Sequence, residues 1–370
     1  MLKIAILGTR GVPNHYGGFE QFAEFFSVFL KEQGHDVYVY NSHNHPHQEP
    51  TFRGVKILHK FDPEYLLGTF GQFIYDFNCI RDSRKRKFDV ILQLGYTSSS
   101  IWGWMLPKKS VIISNMDGLE WKRTKYSPPV QKFLKYAEKL AVKTSDYLVS
   151  DSIGIQDYLK EEYGADSEFI AYGAETFKDA DENVLAEYGV EPYGYSMLIA
   201  RMEPENNIEV ILDGVELAGN EEKFLVIGNY KSTKFGNYLL KKFSDSKKIQ
   251  FLGGVYNLQH LNNLRYYSNL YFHGHSVGGT NPSLLEAMAS KALIVAHDNP
   301  FNKSILQGEA FYFSNKDEVK DHLQTHIKSD FSTYLDSNFD KIEKSYNWPT
   351  INHNYLSYCQ RCVELDKNEG

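Results

Sequence analysis

Short apolar runs of strand length recur along this chain, each followed by a longer amphipathic segment, and this alternation constrains its fold most. In the first half the strand candidates are KIAILG (3–8), DVYVY (36–40), VKILH (55–59), FDVILQLG (88–95), SVIISN (110–115), DYLVSDS (146–152) and EFIAYG (168–173). A helix is predicted over 18–33, where Phe19, Phe22, Phe26, Phe29 and Leu30 recur at helical spacing before Gly34 ends it. Further helices are predicted at 71–86, 128–145 and 153–163. Apolar strands separated by such helices predict a parallel sheet covered on both faces.

The pattern then restarts. VLAEYGVEPYGY (184–195) bears the glycine and proline of a join, and SMLIAR (196–201) opens a second series. It continues through KFLVIG (223–228), KIQFLG (248–253), LYFHGH (270–275) and LIVAH (293–297), with helices at 206–218, 236–243, 258–268 and after 281. The 370 residues exceed what one core of typical size organises. The expected fold class is therefore α/β, with two Rossmann-like parallel-sheet domains, 1–185 and 186–345. A helical tail, 346–370, is expected to pack back on the first. Ligands of open parallel sheets bind beyond the carboxyl ends of the strands, so a cleft between two such domains makes the post-strand loops the candidates.

Composition removes several classes. A balance of 40 basic against 47 acidic residues, net −7, argues against a general nucleic-acid binder. MLKIAILG has neither the length nor the cleavage site of a signal peptide, and no stretch approaches the roughly 20 apolar residues of a membrane span. Cys79, Cys359 and Cys362 make no disulfide framework, so a cytoplasmic location is expected. The lone C-x-x-C at 359–362 has no second pair for zinc. HNHPH (43–47) reads as an exposed polar loop ahead of a metal site, so no metal is expected.

Four loops can carry chemistry. In HSVGGTNPSLLEAMA (275–289), Gly278 and Gly279 turn the chain, Asn281 caps a helix and Pro282 suits its first position. Leu284, Leu285 and Met288 share an apolar arc from which Glu286 departs. It is either a solvated helix-start carboxylate or a ligand group. In GTRGVPNHYGGFE (8–20), Gly17 and Gly18 let backbone amides meet an anion. The spacing is not the dinucleotide fingerprint, and the second strand ends in Asn41 where an acidic ribose ligand belongs, which counts against a nicotinamide-dependent oxidoreductase. In LIARMEPENN (198–207), Arg201 ends a strand and can neutralise a diphosphate. In SNMDGLEWKR (114–123), Asp117 follows a strand and precedes glycine. It either forms a turn or contacts hydroxyls and protons.

ILGTRGVPNHYGGFE, DGLEWKR, ARMEPENN and HSVGGTNPSLLEAMA together resemble a GT-B glycosyltransferase of the large retaining family 4. The likeness is strongest to the bacterial subgroup with the DUF1972 N-terminal domain, mostly described as rhamnosyltransferases. The resemblance implies a nucleotide-sugar donor bound mainly by the second domain, an acceptor bound mainly by the first, and no required metal or other cofactor. It implies that Glu286 holds the donor ribose and that Gly278, Gly279, Thr280 and Asn281 pass the sugar and diphosphate. Arg201 would bind the diphosphate, with Gly17 and Gly18 facing the same phosphates. Asp117 falls in the segment where relatives keep a catalytic-cleft His or Asp, so Asp117 and Arg201 are the catalytic candidates. The neighbouring His15, Tyr16, Glu120, Trp121 and Arg123 are the acceptor candidates.

Two positions depart from the family pattern. Its paired glutamates are eight apart, yet the partner of Glu286 is Gly278, and the lysine five residues after the arginine is Asn206. Lys231 or Lys234, in GNYKSTKFG, is expected to supply the missing charge. The expected reaction moves a sugar, L-rhamnose from dTDP-L-rhamnose, onto a saccharide or lipid-linked saccharide acceptor in bacterial surface polysaccharide synthesis. A UDP- or GDP-sugar donor, and a catalytically silent sugar-nucleotide binder, are the alternatives. RDSRKRK (81–87), WGWMLPKK (102–109) and WKRTKY (121–126) suit either peripheral contact with the inner membrane face or plain solvated loops.

Overall fold

A computed structural model describes residues 1–15, 17–123 and 125–369. The chain divides into two compact units. Met1–Lys122, Tyr126–Tyr172 and Trp348–Gly370 form one, and Arg123–Lys125 with Gly173–Asn347 form the other. The glycine- and proline-bearing join thus falls inside the second unit, whose main segment begins at Gly173.

The first unit is built on eight strands: β1 (Lys3–Leu7), β2 (Asp36–Ser42), β3 (Thr51–Phe52), β4 (Val55–Lys60), β5 (Val90–Leu94), β6 (Val111–Asn115), β7 (Tyr147–Ser150) and β8 (Glu168–Phe169). Their order is β3-β4-β2-β1-β5-β6-β7-β8, parallel except for the β3–β4 pair. Every residue of β5 and β6 is buried, as central strands covered on both faces require. Strand order reverses beside β1, so the loops after β1 and β5 part there and leave room for a ligand. Gly8, just past β1, has φ +83°, and a Cβ there would lie 2.3 Å from the Leu94 carbonyl oxygen. Only glycine lets the two strand ends approach so closely.

The last helix, Trp348–Glu369, packs on the first, Gly18–Glu32. The Phe25 and Trp348 rings stack at 4.5 Å, and Tyr355 meets Phe22 at 4.5 Å. Burying these aromatic faces ties the chain's last helix to its first unit.

In the second unit β9 (Tyr195–Ile199), β10 (Lys223–Ile227), β11 (Ile249–Gly253), β12 (Tyr271–His273), β13 (Ile294–His297) and β14 (Phe311–Phe313) form an all-parallel sheet. The order is β11-β10-β9-β12-β13-β14, with the reversal between β9 and β12. Its core of Leu198, Val226, Phe272, Val295 and Phe313 is sealed by the helix Ile208–Ala218.

β3 and β14 escape the sequence reading because two or three residues carry no periodicity, and EFIAYG shrinks to the two residues of β8. The HNHPH histidines spend their rings on the backbone. His45 Nε2 meets the Pro13 carbonyl at 3.0 Å, His47 Nε2 the Thr51 carbonyl at 3.0 Å, and His43 Nδ1 accepts from Asp62 N at 3.0 Å. The three cysteines are free and buried. Among the described residues no helix is long and apolar enough to cross a membrane.

Candidate functional site

In the second unit two loops meet at the point where strand order reverses. The loop after β9 carries Arg201, and the loop after β12 runs from Gly274 to Asn281. Asparagines knit them together. Asn206 Nδ2 donates to the Arg201 carbonyl at 2.7 Å, and its Oδ1 meets His275 Nδ1 at 2.9 Å. Asn207 Nδ2 donates to the Gly274 carbonyl at 2.8 Å, and the Ser276 hydroxyl to that of Glu205 at 2.7 Å. A Cβ at Gly274 would sit 2.0 Å from the Asn206 carbonyl oxygen, so the loops touch backbone to backbone. Beside them Thr233 Oγ1 donates to the Met202 carbonyl at 2.9 Å, which joins the Lys231 loop to the Arg201 loop.

The helix Pro282–Ala289 starts as its residues dictate. Asn281 Oδ1 accepts from Ser283 N at 2.9 Å, Pro282 takes the first position, and Leu284, Leu285 and Met288 are buried. Glu286 is not simply solvated. Its Oε2 accepts from Arg265 NH2 at 2.6 Å, and the Arg265 side chain is 1% exposed against 26% for Glu286. Arg265 also donates to Asn262 Oδ1 at 2.9 Å and Ser283 Oγ at 3.3 Å, the latter held by Tyr271 OH at 2.8 Å. A buried cation therefore fixes one oxygen of a partly open carboxylate and leaves its other face for hydroxyl donors. His275 is pushed down to about 3 by burial first and then by the Arg123 and Arg201 charges, against a backbone hydrogen bond to Val277. It is a neutral imidazole at physiological pH.

The first unit holds its own cavity, about 170 Å³, at the reversal beside β1. Gly8, Thr9 and Arg10 line it after β1, Gly95 to Ser99 after β5, and Asp117 and Glu120 after β6, with Phe19 and Tyr96 contributing aromatic surface. Asp62, Glu64 and Asp76 bring further carboxylates. Burial raises Glu64, but hydrogen bonds from Arg10 and Gln72 outweigh it and hold the group below the usual carboxylate range. Burial lifts Asp76 to about 7 against the Ser98 hydroxyl bond at 2.5 Å. Asp117 adopts φ +48°, a conformation Asp tolerates, with its N–H donated to Asn115 Oδ1 at 2.9 Å. Asn115 in turn donates to Tyr355 OH at 2.8 Å, so the last helix braces the Asp117 loop. A larger depression, about 410 Å³, opens where β7 begins, at Asp146 and Tyr147, opposite the ends at which such sheets bind ligands.

The predicted residues divide accordingly. Arg201, Lys231, Gly278, Gly279, Thr280, Asn281 and Glu286 lie in the second unit, and Gly17, Gly18, His15, Asp117, Glu120 and Trp121 in the first. Arg123, expected among the acceptor residues, groups with the second unit and acts on His275 there. Tyr16 lies outside the described residues. Trp121 is anchored by packing, with Lys135 4.8 Å above its ring and Tyr158 at 6.4 Å. Gly17 and Gly18 open the first helix with no side-chain cap, which leaves amides at its positive end. Asn41 clamps the loop before them, accepting from Val12 N at 3.1 Å and donating to the Val12 carbonyl at 2.8 Å.

Sequence reasoning missed Arg265, His275 and the carboxylates of 62–76. Arg265 carried one signal, a charge beside Leu264 on the inward side of LQHLNNLRYYS, where a solvated helix keeps apolar residues.

Residues 106–175 match the family described as Domain of unknown function (DUF1972). No curated protein matches the chain. Among solved structures, a sucrose-phosphate synthase from Thermosynechococcus elongatus superposes with TM-score 0.80 at 14% identity, over 99% of this chain and 100% of that one. Anabaena HepE in complex with UDP-glucose does so at 0.73 and 11%, over 98% and 100%. Trehalose 6-phosphate synthase from Burkholderia multivorans does so at 0.71 and 12%, over 100% and 98%. These likenesses span the whole chain, and its two parallel-sheet units have the fold of the GT-B glycosyltransferases.

Proposed function

We propose that this protein is a glycosyltransferase that moves a sugar from a nucleoside diphosphate to a saccharide hydroxyl. One observation carries the reading. Glu286, at the start of a capped helix behind a glycine turn, is held by the fully buried Arg265 beside the Arg201 loop. A carboxylate so fixed accepts the two hydroxyls of a ribose, while Arg201, loop amides and the helix start face a diphosphate. Anabaena HepE, of the same fold, was captured with UDP and with UDP-glucose, which supports a nucleotide-sugar donor.

As the sugar–phosphate bond breaks, positive charge grows on the sugar and negative charge on the departing diphosphate. Arg201, with Lys231 as the second cation, stabilises that negative charge. The resemblance to family 4 supports retention of configuration, the leaving phosphate oxygen taking the acceptor's proton. No metal or protein base is then required, and Asp117 orients hydroxyls. The neutral and acidic cavity of the first unit suits a polyhydroxylated acceptor, the terminal sugar of an oligosaccharide or lipid-linked saccharide. The likeness to rhamnosyltransferases makes dTDP-L-rhamnose the first donor to test, in surface polysaccharide synthesis at the cytoplasmic face.

The test is thermal unfolding with dTDP-L-rhamnose, UDP-glucose and GDP-mannose, followed by nucleoside diphosphate release on adding acceptor saccharides. A specific donor raises the unfolding temperature by mass action. No stabilisation by any sugar nucleotide overturns the reading. Stabilisation without nucleoside diphosphate release across the acceptors leaves a sugar-nucleotide binder.

A further inference from the structure

The two positions that depart from the family pattern, 206 and 278, are not neighbours in sequence, yet both adjoin His275. Asn206 Oδ1 lies 2.9 Å from His275 Nδ1, and a Cβ built on Gly278 would fall 3.2 Å from His275 Nε2. Gly278 has φ +124°, so a side chain there is strained by the backbone and would press on the imidazole. The ring stands where the loop has no side chain of its own at 278.

The hydrogen-bond network also assigns its proton. Asn206 Nδ2 is spent on the Arg201 carbonyl at 2.7 Å, which turns Oδ1 toward the ring. Oδ1 only accepts, so the 2.9 Å bond needs the hydrogen on Nδ1, and in that tautomer Nε2 keeps its lone pair. The main chain under the ring is pinned as well, since Asn299 and Asn302 both donate to the His275 carbonyl at 3.0 Å. A ring bonded to Asn206 on a pinned main chain costs little further ordering when a ligand arrives.

We infer that His275 contacts the donor sugar, its Nε2 accepting a hydrogen bond from a sugar hydroxyl beside the Gly278–Gly279 turn, with Asn206 as the residue that positions it. The inference rests on the second unit being the donor site. It adds that Asn206 and Gly278 are one coupled arrangement around an imidazole, and that the acceptor group offered to the sugar is neutral.

The experiment is calorimetric titration of the full-length protein with two matched pairs, dTDP against dTDP-L-rhamnose and UDP against UDP-glucose. For the pair that binds, His275→Phe is expected to weaken the sugar nucleotide about tenfold while changing the bare diphosphate less than twofold. His275→Gln, which returns a polar amide near the Nε2 position, should recover part of the loss. Asn206→Ala should move affinity in the same direction by a smaller factor. Equal losses for sugar nucleotide and diphosphate, or no loss for either, overturn the sugar contact. If His275→Phe does not fold, the Gln and Ala variants carry the same comparison. A wild-type protein that binds neither diphosphate instead overturns the donor site, a failure distinct from that of His275.

Discussion

The two units share an architecture and differ in the charge they gather at the ends of their strands. In the first, Asp62, Glu64, Asp76, Asp117 and Glu120 line a cavity in which the Arg10 cation is paired with Glu64 at 2.6 Å. In the second, the Arg201 and Arg123 charges act on a neutral imidazole, Lys231 sits in the loop that Thr233 ties to the Arg201 loop, and the carboxylate Glu286 is already paired with Arg265. A parallel sheet with a reversal in strand order creates a place for a ligand. It does not choose the ligand's charge. The loops do that, and here one set gathers carboxylates while the other gathers cations.

Arg201 should break the comparison most. Arg201→Ala is expected to lower turnover by about 10²–10³-fold, since a cation at a developing charge acts mainly in the transition state. Steady-state kinetics with saturating donor measure this, and an unchanged kcat would place Arg201 outside the site. Glu286→Ala is expected to raise the donor KM by about 10–100-fold with a smaller change in kcat, the size of a lost hydrogen bond to a charged group.

The acidic side can be probed without substrate. The Asp76 carboxyl sits at about 7 in the native state, above its unfolded value, because it is buried. The native state therefore holds a proton that the unfolded chain has lost, and stability falls as pH rises from about 4 to 7. Asp76→Asn removes that loss. It is expected to stabilise the protein on the order of 2–4 kcal/mol at pH 8 and hardly at all at pH 4, read from denaturant unfolding at both pH values. A pH-independent difference would show that Asp76 is not protonated in the native state.

Smaller effects sharpen the contrast. Asp117→Asn should reduce turnover less than tenfold with a good acceptor if it only orients hydroxyls, whereas a loss of three orders of magnitude would make it an essential base. Lys231→Ala should raise the donor KM about two- to fivefold, as an exposed cation beside a phosphate is partly screened. No change in KM or kcat removes it from the site.

The strand and helix pattern was legible because buried strands and amphipathic helices write their periods locally. Helix starts were legible too. Asn281 and Pro282 occupy the positions their chemistry favours. The partners of the chemical groups were not. Arg265 lies 21 positions from Glu286, Asn206 lies 69 from His275, and Asn115 reaches Tyr355 across 240. Asn41, read only as the lack of an acidic ribose ligand, proves to clamp the loop after β1 through Val12. Asp62 and Asp76 belong to no motif, and only the folded sheet gathers them into one cavity.

By itself the sequence determined the two α/β units and the loops that could hold an anion, because periodicity, caps and glycine turns are properties of a few adjacent residues. Tertiary structure decided which carboxylate is braced, which histidine is neutral and which loop clamps which. Hydrogen bonds and desolvation depend on partners that only the folded sheet brings within 3 Å of one another.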